Sequence, residues 1–148
     1  MKKLTKYNPQ VFYIPTNSIE AAEEDYLYIK GSQINNSGNG LYTAINLYKN
    51  EIISLFTGEI LTEKEAQERA QKKNDRYFIN LLDGSIMDSM HTECFAKYAN
   101  DSINSNFDNN AKITLDDDNN VCLKATKKIK SGEEIFCGYG KRYWNKHK

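Results

Sequence analysis

Cysteine, proline and tryptophan are all scarce in these 148 residues, at three, two and one. Cys94, Cys122 and Cys137 are odd in number, far apart and never form a CxxC. That pattern excludes a disulfide framework and a zinc knot as organising devices. No apolar run is long enough to span a membrane and no leader pattern opens the chain, so a soluble, intracellular protein is expected, with nucleus and cytoplasm not distinguished. Charge of one sign is missing too, because basic and acidic side chains number 20 each. No net field then argues for a nucleic-acid or membrane partner. The local basic run Lys124, Lys127, Lys128 and Lys130 and the acidic run Asp116 to Asp118 read as solvated faces. His91 and His147 have no ligand-like partner at helical spacing, and no metal site is expected.

What is present is a chain of one-domain size made mainly of short β-prone runs. Residues 1–25 read as an N-terminal extension, with a strand at Val11 to Ile14 and a short acidic helix at Ile19 to Asp25; the domain proper runs 26–148. Strands are expected at Tyr26 to Lys30, Leu41 to Tyr48, Ile52 to Leu61 (broken at Gly58) and Tyr77 to Leu82. Further strands are expected at Ile86 to Asp88, across the hairpin Ala111 to Leu115 and Val121 to Thr126, and at Glu134 to Gly138. Thr62 to Glu65 is a capping box opening a solvated helix to about Lys73, supported by Glu65–Arg69 and Glu68–Lys72 pairs. A second short helix is expected at Ser89 to Tyr98. Nothing alternates as βαβ, which excludes a doubly wound nucleotide-binding sheet.

Four stretches stand out, each with an ordinary structural explanation. Gly38-Asn39-Gly40 precedes a strand rather than a helix, so it is no phosphate fingerprint; it offers either a hairpin turn or a main chain that a ligand can approach. Phe56-Thr57-Gly58-Glu59 breaks a strand with a glycine, as a bulge or a close backbone approach would. Phe95 to Ser102 runs an aromatic helix end into a polar Asn-Asp-Ser loop. Tyr139 lies between Gly138 and Gly140 in GEEIFCGYGKRYW, where the glycines clear space around the phenol.

Taken in order, these four stretches make a pattern. A glycine pair, F-x-G-E with an EA-xx-R helix, an aromatic-Asn-x-Ser element and a closing G-E-E-I-x-x-x-Tyr-Gly resemble the SET-domain protein lysine methyltransferases, over roughly Tyr26 to Trp144. The resemblance implies a mostly β (α+β) fold of short curved sheets with two short helices, in which the C-terminal segment threads a preceding loop as a pseudoknot. It implies S-adenosylmethionine as cofactor, held through the main chain of Gly38, Asn39 and Gly40 with Leu41 and Tyr42 beside it, and by Asn100 and Asp101 from the other side. Phe56, Cys137, Tyr143 and Trp144 would line the lysine channel, and Tyr139 would be the catalytic tyrosine. The substrate implied is a lysine-bearing protein or peptide, histones being usual for the family.

Departures from the pattern bear on rate and substrate. The histidine of the family's Asn-His-Ser element is Asp101 here, the channel tyrosine is Phe56, and the aromatic two residues before the catalytic tyrosine is Cys137. No cysteine cluster flanks the core, so Tyr143 and Trp144, or a second chain in a homodimer, would have to close the site. These changes leave open a second function, a SET-like module that binds a peptide or partner without transferring a methyl group.

Overall fold

The computed structural model describes residues 19–81 and 83–138. Three antiparallel sheets of three strands carry the described residues. The first joins β1 (Leu27–Gly31), β2 (Asn39–Thr43) and β9 (Glu134–Ile135), with β2 in the middle. The second joins β3 (Ile52–Leu55), β8 (Val121–Ala125) and β7 (Ala111–Leu115), with β8 in the middle. The third joins β4 (Glu59–Leu61), β6 (Ile86–Asp88) and β5 (Phe78–Asn80), with β6 in the middle. Helix is confined to one turn at α1 (Glu23–Tyr26), α2 (Glu63–Gln71) and a 3₁₀ turn at Ala96–Tyr98. The expected mostly β architecture is the one adopted.

The core lies where the first two sheets meet. Leu41, Leu47, Ile53, Leu123, Ile129 and Ile135 are each fully buried there, and burial of such a side chain stabilises by about 1.5–3 kcal/mol. Asparagine richness in the loops has a backbone reason. Asn36, Asn50, Asn104 and Asn119 all take positive φ, a conformation asparagine tolerates better than most residues.

Segment 134–138 makes the C-terminal crossing. On one side the Cys137 amide donates to the Asn100 carbonyl at 2.9 Å, and on the other the Ala111 amide donates to the Phe136 carbonyl at 3.0 Å. Both contacts are parallel bridges, so the segment passes between the two ends of the loop 100–110. The Asn110 side chain locks it further, donating to Glu134 O at 3.0 Å and accepting from Phe136 N at 2.8 Å.

Several local expectations are corrected. The strand starting at Leu41 stops at Thr43, because the Thr43 hydroxyl accepts from Ile45 N at 3.2 Å and donates to Ile45 O at 2.8 Å. Such a local turn competes with the ladder. Leu47 returns only as a single bridge to Ile129. Ile52 to Leu61 is two strands in two different sheets, not one strand with a bulge. The helix expected at Ser89 to Tyr98 shrinks to the 3₁₀ turn, since Asp88 Oδ1 accepts from Met90 N at 3.0 Å in a tight turn. Lys97 Nζ then donates to the Ser89, Met90 and Thr92 carbonyls at 3.0–3.2 Å. The acidic helix at Ile19 to Asp25 shrinks to α1. The strand expected at Val11 to Ile14 lies outside the described residues.

Helix α2 carries the capping box read from the sequence, with Thr62 Oγ1 accepting from Glu65 N and Glu65 Oε1 accepting from Thr62 N. Its Arg69 does not pair with Glu65. It reaches the third sheet instead, at 2.7 Å from buried Asp88 Oδ2 and 3.0 Å from Glu59 Oε1. That choice is physical: a buried carboxylate needs a cation more than an exposed one does. The same guanidinium holds the Glu59 carboxyl below its ordinary range.

Candidate active site

A cavity of about 530 Å³ opens where the three sheets and the C-terminal crossing converge. Its size is that of a cofactor or drug-sized ligand site. Gly38 and Asn39 form one wall, Asn100 and Asp101 a second, and Phe56 and Cys137 also line it. Residues scattered from 38 to 137 in sequence are thereby brought together.

The glycine loop is held in shape from both ends. Gly38 has φ +64°, its carbonyl accepts from Ser32 N at 2.8 Å, and a side chain there would meet open space. Asn100 Nδ2 donates to Asn39 O at 2.9 Å, which ties the two walls together. Asp101 caps its own loop, its Oδ1 accepting from Ile103 N at 3.0 Å and Asn109 Nδ2 at 3.3 Å. The anionic side chain at this position therefore has a local structural use.

Leu41 and Tyr42 follow the pair in β2, yet neither lines the cavity. Leu41 is in the core, and the buried Tyr42 hydroxyl donates to Gly31 O at 2.6 Å. Strand alternation and the β1–β2–β9 pairing put their side chains among packed neighbours instead. Burial, with the Glu134 carboxylate nearby, pushes the Tyr42 phenol up to about 12.

Cys137 is 1 % exposed and still forms part of the cavity wall. Its Sγ lies 3.9 Å from Ala99 O, and burial followed by the charge of Asp101 pushes the thiol up to about 12. It is a small neutral wall residue rather than a nucleophile. Tyr139, Tyr143 and Trp144, expected as catalytic and channel residues, lie outside the described residues.

A pH consequence follows. Cys137 rises from an ordinary value of 9.0 and Tyr42 from 10.0, both to about 12. The folded chain therefore keeps protons that the unfolded chain releases. This contribution is intact below about pH 9 and is lost as pH climbs toward 12. The melting temperature is expected to fall by several degrees between pH 8 and pH 11. Alkylation mapped by mass spectrometry should leave Cys137 unlabelled at pH 8 in the folded protein and label it after denaturation. Rapid labelling of native Cys137 would show the thiol to be accessible.

Sequence reasoning missed much of the cavity's aromatic lining. Tyr77, Phe78 and Tyr98 contribute to it, together with Arg76, Lys97 and Ile113. The Lys97 ammonium is 5.6 Å from the Tyr77 ring centroid and 5.4 Å from that of Tyr98, besides its three carbonyl acceptors. It pins the 89–92 turn against the 3₁₀ turn. The adjacent aromatics in Tyr77-Phe78 and the aromatic end of the Phe95 to Ser102 stretch hinted at this wall, but neither gave the direction its side chains face. A second, more open hollow of about 890 Å³ shares Lys97 and Tyr98 with the first and is lined by Glu24, Glu93, Met90 and Phe95.

Among the described residues, no group of three His, Cys, Asp or Glu side chains is placed to hold a metal. No helix among them is long and apolar enough to cross a membrane.

The histone-lysine N-methyltransferases named CLF in Oryza sativa subsp. japonica and Arabidopsis thaliana are 30% and 31% identical over 107 residues, covering 70% of this chain. The Zea mays histone-lysine N-methyltransferase EZ1 is 29% identical over the same length. The chain spans about 12% of the length of the CLF proteins it matches. In three dimensions it resembles a chain of a humanized mutant of the Chaetomium thermophilum Polycomb Repressive Complex 2 bound to the inhibitor GSK126, with a TM-score of 0.66 and 25% identity. That match covers 77% of this chain and 15% of the other. The family model of the SET domain matches residues 38–140, from the glycine pair to the glycine after Tyr139, and the chain belongs to the SET-domain family.

Proposed function

We propose that this chain transfers a methyl group from S-adenosylmethionine to the side-chain amine of a protein lysine, with histone lysine as the leading substrate class. The observation that carries this reading is the single cavity uniting Gly38 and Asn39, Asn100 and Asp101, Phe56 and Cys137. The relatives named as histone-lysine N-methyltransferases support it.

The residues present fit the cofactor. Main chain at a positive-φ glycine offers polar groups without a side chain in the way, the Asn100 wall is polar, and aromatic faces suit a flat heterocycle and a cation. When bound, the cofactor supplies an electrophilic methyl on a sulfonium centre. The chain's task is alignment, which in favourable systems contributes up to about 7–11 kcal/mol. The substrate lysine must lose a proton from an ordinary pKa near 10.4. Apolar surface from Phe56, Phe78, Ile79 and Ile113 disfavours its ammonium by desolvation. Tyr139 would orient the freed amine through its hydroxyl. Glu24 and Glu93 in the adjoining hollow suit a basic peptide.

The second reading, a module that binds without transferring, is favoured by Asp101 and Phe56 at the family's histidine and tyrosine positions. The homodimer expected from the sequence finds no support in the fold or the relatives and is not proposed. Calorimetric titration of S-adenosylmethionine, followed by methyl incorporation into core histones and a mixed protein pool, tests both. Micromolar binding with lysine methylation is expected. Binding without methylation in either pool would replace the enzyme by the module, and no binding would defeat the methyltransferase reading.

A further inference from the structure

We infer that Glu134 is a positioning residue that braces the glycine loop, and that position 40 is glycine because of Glu134 rather than because of a ligand. The inference deepens the proposed function, on which its reference to a cofactor loop rests.

Glu134 is 1 % exposed, an unusual place for a carboxylate. Its acid group is surrounded by donors from one segment. Ser32 Oγ donates to Oε2 at 2.7 Å, Gln33 N donates to Oε1 at 2.8 Å, and Gln33 Nε2 lies 3.3 Å from the same oxygen. The Tyr42 hydroxyl oxygen is 3.2 Å from Oε1, with its proton on Gly31 O. Ser32 in turn accepts from Ile34 N at 3.1 Å, extending the bracing along the loop. An acceptor-only carboxylate fits the Ser32 and Gln33 donors, and these bonds offset the cost of its burial.

The loop so held, residues 32–38, ends in the wall of the cavity at Asn36 to Asn39. Glu134 stands on β9, the strand that leads through the crossing to Cys137. One carboxylate thus connects two segments that both contribute to the wall of the site.

Gly40 pairs with Lys30 in the ladder, is buried, and has no positive φ to require glycine. A Cβ there would collide with Glu134 Oε2 and lie 2.9 Å from Glu134 Cδ and 3.2 Å from Ser32 Cα. The carboxylate cannot swing away without abandoning its donors. Gly40 is also absent from the cavity lining, whereas Gly38 and Asn39 belong to it. The two glycines therefore have different reasons: Gly38 serves the turn and the wall, and Gly40 makes room for the brace.

The test is a double-mutant cycle in the full chain with Gly40→Ala, Glu134→Ala and the pair, read by melting temperature and by calorimetric affinity for S-adenosylmethionine. Gly40→Ala alone should lower the melting temperature and weaken cofactor binding at least tenfold. In the Glu134→Ala background the same substitution should cost much less, because the carboxylate it collides with is gone and only the 3.2 Å approach to Ser32 Cα remains. Equal losses in both backgrounds would show that something other than Glu134 demands the glycine and would overturn the inference. Should Glu134→Ala fail to fold, Glu134→Gln replaces it, keeping the size but turning one acceptor into a donor that faces another donor. That variant should raise the cofactor KM at least tenfold with kcat at saturation within about twofold. A loss in kcat at unchanged KM would mean general damage and not positioning. If the wild-type chain binds no S-adenosylmethionine, the proposed function fails, while the melting-temperature cycle still decides whether Glu134 is the reason for Gly40.

Discussion

Phenylalanine at position 139 is expected to lower kcat for lysine methylation by at least about 100-fold, the lower range for a group that handles the reacting amine. Affinity for S-adenosylmethionine should stay within about threefold, because the proposed use of the hydroxyl is on the amine and on the polarised methyl group. The position follows Cys137 and Gly138, and Cys137 is already tied to Asn100 at the cavity wall. Desolvation by the apolar lining acts on the amine in both forms of the protein, so the difference isolates the hydroxyl. Steady-state kinetics on one histone substrate, with calorimetry on the same preparations, would settle the matter. Full turnover in Tyr139→Phe would make this tyrosine a packing residue, and the catalytic assignment would be lost.

The largest stability effect is expected at Gly58. A Cβ there collides with the carbonyl oxygen of Asp88 and lies 2.7 Å from its carbon and 2.9 Å from Met87 Cγ. Backbone cannot turn aside as a flexible side chain can. The surrounding links are short: Ser89 Oγ donates to Thr57 O at 2.6 Å, and Thr57 Oγ1 donates to Glu93 O at 3.0 Å. Valine at position 58 must push segment 56–58 away from 87–93 or break these bonds. Overpacking of this kind costs about 1–3 kcal/mol, and at about 2–4 °C per kcal/mol the melting temperature should drop by roughly 2–12 °C. Since Phe56 and Ser89 both line the cavity, cofactor affinity should fall as well. A Gly58→Val protein that melts within about 1 °C of wild type would show that the two segments separate without cost.

Local chemistry made some elements legible in the sequence. The Thr62–Glu65 capping box and the hairpin of Ala111 to Leu115 with Val121 to Ala125 both formed where their residues indicated. Each depends on contacts within a few residues, so a short window contains the whole cause. The Ser89 to Tyr98 helix failed for the opposite reason. Asp88 is buried and paired with the partly exposed Arg69, and the same carboxylate starts a turn that a helix would have to undo. Arg69 likewise prefers a sheet residue nineteen positions away to the glutamate four positions before it. Burial decides both, and burial cannot be read from spacing.

The candidate site divides the same way. Order of motifs along the chain was sufficient to select Gly38, Asn39, Phe56, Asn100, Asp101 and Cys137, and all six line one cavity. Residue types alone determined that these positions were unusual: a glycine beside an asparagine, a glycine breaking an aromatic strand, an aspartate after an asparagine. Which side chains face the cavity was left to the tertiary structure. Leu41 turns into the core and Tyr42, on the opposite face of β2, is buried against Tyr28, while Tyr77, Phe78 and Lys97 enter the wall because the third sheet and the 89–92 turn carry them there. The two glycines look equivalent in the sequence and are not. Only the approach of Glu134, 94 residues away on another strand, distinguishes the one that borders the cavity from the one that borders a carboxylate.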